Sequence, residues 1–73
     1  MAFGDVLRAA RAQQKGLSQE DLAAMADMDR TYPSLLERGL RTPSLLTVIH
    51  VARALGKRPG VMIDDVVARL GPP

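Results

Sequence analysis

Catalytic or metal chemistry in this 73-residue chain would have to be built from one histidine, His50, and two neighbouring carboxylates, Asp64 and Asp65. Their spacing defeats both uses. His50 has no second histidine, no cysteine and no carboxylate at ligand spacing beside it, so a metal would lack its donors. Asp64 and Asp65 are adjacent, and consecutive helical residues point in different directions, so they read as two solvated charges. An enzyme would also need a pocket with paired titratable groups, which so short a chain with one histidine does not offer. No enzymatic activity, metal, cofactor or small-molecule ligand is expected. What remains is charge. Ten Lys and Arg against eight Asp and Glu leave a net +2, too weak to indicate nucleic acid by itself. The placement of the arginines has to decide.

Breakers divide the chain into five segments with apolar residues at helical spacing. Phe3, Val6, Leu7 and Ala10 form the stripe of a first helix that runs to about Lys15, with Gly16 closing it. Ser18 is a natural cap for a second helix, with Glu20 and Asp21 in its first turn and Leu22, Ala23 and Ala26 on its inner side. Asp29 caps a third helix that extends to about Arg38 and stops at Gly39. Thr42-Pro43 reads as the cap and first residue of a fourth helix, closed by Gly56. A fifth spans roughly Val61 to Leu70. Hydrophobic residues make up 47% of the chain and aromatics only 3%. That composition suits an all-α fold, one compact five-helix domain over 1–73, with an aliphatic core. No run approaches the ~18 apolar residues of a membrane span. The start of the chain lacks the layout of a signal peptide, so a cytoplasmic protein with no membrane partner is expected.

About three residues separate the second and third helices. Such a connection is too short for an antiparallel hairpin and makes the two cross steeply, as in a helix-turn-helix. Counting from Gln19, the small Ala23 falls fifth, where the helices approach most closely. Leu22 falls fourth and Leu36 eighteenth.

The runs Leu17-Ser18-Gln19-Glu20-Asp21-Leu22-Ala23, Arg30-Thr31-Tyr32, Leu36-Glu37-Arg38-Gly39, Thr42-Pro43-Ser44-Leu45 and Ala52-Arg53-Ala54-Leu55-Gly56, in that order, resemble the λ-repressor/Cro-like (XRE) family. The resemblance implies that the third helix lies in a DNA major groove. It places Arg30, Thr31, Ser34 and Leu35 at the base edges, with Arg30 suited to guanine O6 and N7. Leu35 stands where a polar residue is common, and either meets a thymine methyl or is idle. The resemblance also places Gln19, Arg38, Arg41 and Thr42 on the phosphates. Tyr32 packs against the core, with its hydroxyl as a further phosphate contact. Glu37 matches the family's buried acid, and Arg11 is its candidate partner.

Two positions depart from the family pattern. Asp27 replaces the usual glycine at a positive-φ turn residue, a conformation that Asp tolerates. Pro33 replaces a β-branched core residue. In a helix capped by Asp29 it would be the fourth residue, remove the first backbone bond and bias Tyr32 away from α geometry. The expectation is a distorted or delayed start to the third helix, with the proline ring filling the core site. The reading that follows is a sequence-specific, double-stranded-DNA-binding regulator, a repressor or autoregulator, acting as a homodimer. Met62, Val66, Val67 and Leu70 are its expected dimer surface. Its rival is a protein-interaction module, an antitoxin or adaptor. That rival gains from Pro33 and Leu35, which make the third helix less polar than a reader usually is.

Overall fold

Each of five helices sends one side chain to full burial at a shared centre: Leu7, Leu22, Leu36, Val51 and Met62, all at 0% exposure. The computed structural model describes residues 2–72. Its helices are α1 (Ala2–Ala12), α2 (Gln19–Met25), α3 (Tyr32–Glu37), α4 (Leu45–Ala54) and α5 (Pro59–Leu70), with no strand among the described residues. The all-α expectation holds. α1 packs on α3 and α5, α2 on α3 and α4, and α4 on α5. Burying each of those five side chains stabilises the fold by about 1.5–3 kcal/mol.

α2 starts as expected. The Ser18 hydroxyl accepts from the Asp21 N–H at 3.0 Å, and the Asp21 carboxylate accepts from the Ser18 N–H at 3.1 Å. This reciprocal pair satisfies two N–H groups that the helix leaves open. The end of α2 makes the turn. Asp27 takes φ 54°, and the Met28 N–H then reaches back to the Ala23 carbonyl at 2.9 Å. An aspartate at this left-handed position does what a glycine ordinarily does. α3 ends the same way through Gly39 at φ 74°, with the Leu40 N–H on the Leu35 carbonyl at 2.9 Å.

Three helix boundaries differ from expectation, and the start of α3 follows it. α1 stops at Ala12, not near Lys15, because Arg11 turns back to donate to the Leu17 carbonyl at 3.0 Å and holds a non-helical turn over 13–17. α4 is capped by Ser44, whose hydroxyl accepts from the Thr47 N–H at 3.1 Å. Thr42-Pro43 therefore belongs to the preceding loop. α5 begins two residues earlier than expected, at Pro59, where a missing N–H costs nothing. α3 begins at Tyr32, with Thr31 as the flanking residue, so the delayed start occurs. The shift moves Pro33 to the second helical position, where its N–H would have had no helical partner anyway. The ring is fully buried and fills the core site.

Candidate nucleic-acid interface

The delayed start leaves Arg30 and Thr31 in the turn before α3 rather than in the helix. Asp29 organises that turn. Its carboxylate accepts from the Thr31 N–H at 2.8 Å and from the Thr31 hydroxyl, and its carbonyl accepts from the Tyr32 N–H at 3.0 Å. Hydrogen bonds from the Thr31 hydroxyl and backbone hold the Asp29 carboxyl below its usual range. Asp29 therefore acts on the turn, not as the helix cap it was expected to be. Arg30 and Thr31 are both exposed.

Within α3 the inward side carries Pro33, Leu36 and Glu37. Helical periodicity puts Ser34, Leu35 and Arg38 on the other side. Arg38 is exposed, whereas Ser34 and Leu35 are half-buried. Tyr32 is half-buried and packs against the core. Arg41 and Thr42 are exposed in the loop that follows, where the Arg41 guanidinium donates to the Leu40 carbonyl at 3.3 Å.

Glu37 is the one buried charged residue among the described residues, 2% exposed. Arg11 grips both its oxygens, Nε to Oε2 at 2.8 Å and Nη2 to Oε1 at 3.1 Å. Arg8 lies 3.5 Å from Oε1. Burial pushes the Glu37 carboxyl up, but the hydrogen bonds from Arg11 and Gln19 and the Arg11 charge outweigh it and leave it lowered. The same contact raises Arg11. The expected Arg11–Glu37 pair is thus present, and it ties α1 to the C-terminal end of α3.

Gln19, expected on a phosphate, sends its amide nitrogen inward to Glu37 Oε1 at 3.2 Å. That contact was not foreseen. Position 19 is the first of α2, and nothing in its spacing to Glu37 announces a meeting across the crossing. The side-chain N–H of Gln19 is therefore engaged within the fold, and its backbone N–H, in the first turn of α2, has no partner within the helix.

The expected dimer surface needs correction. Met62 is fully buried and belongs to the core, and Val66 is half-buried against it. Val67 and Leu70 are exposed at 57% and 69%. The exposed stripe of α5 is Ile63, Val67 and Leu70, about a quarter-turn from the buried one at 100° per residue. Residues i, i+4 and i+7 from Ile63 carry that signal, adjacent to the inward stripe of Met62 and Val66. With Phe3, Pro43 and Val48 these three line an apolar groove of about 310 Å³. Leu45 and Leu46, at the start of α4, are also exposed. The expected dimerising segment 61–73 reaches Pro73, which lies outside the described residues.

No group of His, Cys, Asp and Glu among the described residues is placed to hold a metal, and no helix there is long and apolar enough to cross a membrane.

The helix-turn-helix family matches residues 7–61. Control protein C.BamHI of Bacillus amyloliquefaciens is 39% identical over 64 residues, 88% of this chain and 79% of that protein. Control protein C.MunI of a Mycoplasma species is 38% identical over 64 residues, 88% of this chain and 86% of that one. Among solved structures, the restriction-modification controller protein C.AhdI from Aeromonas hydrophila superimposes with a TM-score of 0.78 at 41% identity, over 84% of this chain and 91% of that one.

Proposed function

The chain belongs to the Cro/C1-type (XRE) helix-turn-helix family, and from that premise we propose that it is a homodimeric regulator that reads short DNA half-sites and controls restriction–modification genes, its own included. The observation that carries the proposal is the exposed Asp29–Thr31 turn. It presents Arg30 and Thr31 at the outer end of the helix crossing, held in place by three hydrogen bonds to Asp29.

The mechanism is positional. Arg30 offers two parallel donors to guanine, and Thr31 and Ser34 offer hydroxyls to neighbouring bases. Leu35 adds an apolar contact. Arg38, Arg41, Thr42, the Tyr32 hydroxyl and the Gln19 backbone fix the register on the phosphates. A second copy, seated on the groove beside Ile63, Val67 and Leu70, sets the spacing of the two half-sites at about one helical turn. Its control-protein relatives support the regulatory assignment. A cytoplasmic location and the absence of catalysis go with it.

Selection of bound duplexes from a random pool tests the reading. The expected product is a palindromic motif whose preference weakens at one guanine position in Arg30→Ala, by about 1–3 kcal/mol. A pool that emerges without any enriched motif removes the proposal.

A further inference from the structure

Gly4 lies buried in the first turn of α1. A Cβ built on it would stand 2.6 Å from the carbonyl oxygens of both Leu36 and Glu37, where ordinary contact begins at 3.4 Å. Any side chain there must open the contact between α1 and those two carbonyls by about 0.8 Å. Both are backbone atoms, so no change of rotamer relieves the clash. One turn along α1, Arg8 donates to the Glu37 carbonyl at 3.4 Å. The carbonyls of Ser34, Leu35 and Leu36 receive backbone N–H groups from Arg38, Leu40 and Gly39. The Glu37 carbonyl receives Arg8.

We propose that Gly4 and Arg8 are positioning residues for DNA reading: by seating the last carbonyls of α3 against α1, they set the tilt of α3 and hence the aim of Arg30, Thr31 and Ser34. This inference rests on the DNA-reading function proposed above. α3 has six residues and no side-chain cap at its start, where only the exposed Asp29 turn holds it, so the buried contacts at its other end weigh heavily in its orientation. Six residues span about 9 Å, and a displacement of about 0.8 Å at one end tilts the helix by roughly 5°. Such a tilt moves side-chain tips by a few tenths of an ångström or more, which is the width of the hydrogen-bond distance window. Base contacts are lost to such an error, whereas long arginines on phosphates follow it.

Three variants test this: Gly4→Ala, Arg8→Ala and, as a control, Val51→Ala, which opens a fully buried site in α4. Affinity for the selected duplex and for a scrambled duplex of equal length is measured for each and corrected for folded fraction. The specific-to-scrambled ratio should fall roughly tenfold in Gly4→Ala and about threefold in Arg8→Ala. Scrambled-duplex affinity should hold in both, and Val51→Ala should leave the ratio unchanged. An unchanged ratio in both α1 variants overturns the proposal. So does an Arg8→Ala loss that is equal on the two duplexes and comes with a shallower salt slope, which would make Arg8 a phosphate contact. If Gly4→Ala does not fold, the Arg8→Ala ratio decides in the same terms. A wild-type chain with no preference between duplexes overturns the underlying function instead, and that result precedes any variant.

Discussion

The two ends of α3 are held by different physics. At the C-terminal end a buried carboxylate, Glu37, meets Arg11, Gln19 and Arg8, all within 3.5 Å. At the N-terminal end an exposed aspartate, Asp29, gathers a turn through three bonds from Thr31 and Tyr32. The buried end is costly to disturb because an unpaired charge would be stranded away from water. The exposed end is cheap to disturb, because water replaces whatever is lost. The lesson is a division of labour. Stability resides where α3 meets α1, and adaptable contacts project from the other end.

Removing Arg11 should break that division most severely. Arg11→Ala leaves Glu37 buried without its main partner and should cost about 3–5 kcal/mol in urea unfolding. A domain of this size has roughly 4–11 kcal/mol in total at 0.05–0.15 kcal/mol per residue, so the variant stands near the edge of folding. A cost near that of an exposed pair, below about 1 kcal/mol, would mean that the buried end is not an anchor.

Acid probes the same anchor without mutation. Glu37 is lowered in the fold, so the unfolded chain binds its proton more readily. Its contribution is complete above the ordinary glutamate value of 4.5 and is lost as pH falls through the lower folded value. Asp21 and Asp29, both lowered by hydrogen bonds, act in the same direction. Thermal melting followed from pH 7 downward should therefore show falling stability below about pH 4.5. Glu37→Gln should start less stable and show a flatter acid limb. A limb as steep as that of the wild type would assign the acid response to the exposed aspartates.

Asp29→Ala should have the smallest effect on stability and a clear one on binding. Loss of a local side-chain bond at an exposed turn should lower the urea midpoint only slightly, readable in the same series. Affinity for the selected duplex should fall several-fold, because Thr31 and its neighbour lose their fixed turn. An unaltered affinity would show that the turn is ordered by the DNA rather than by Asp29.

The architecture was legible in the sequence because its signals are local. Ser18 with Asp21, Asp27 at the turn and Gly39 and Gly56 at helix ends each act within a few residues. The delayed start of α3 follows from the local sterics of Pro33 and needs no distant neighbour. Signals that depend on distant partners were harder to read. Ser44 and Thr42-Pro43 offer the same capping chemistry two residues apart, and only the path of the loop separates them. The inward turn of the Gln19 amide depends on Glu37, eighteen residues away. Met62 and Val67 look alike in composition and differ only in the rotation of α5 against α1 and α4, which a periodicity cannot give.

On the proposed function, duplex DNA meets the strip from Asp29 to Thr42. Titrating a selected duplex into the isotope-labelled chain and following backbone amides by NMR tests it most directly. The largest shifts should fall on Arg30, Thr31, Ser34 and Leu35, with a second group at Arg38, Arg41 and Thr42. Shifts concentrated on α5, with Arg30 and Thr31 unmoved at saturation, would contradict it.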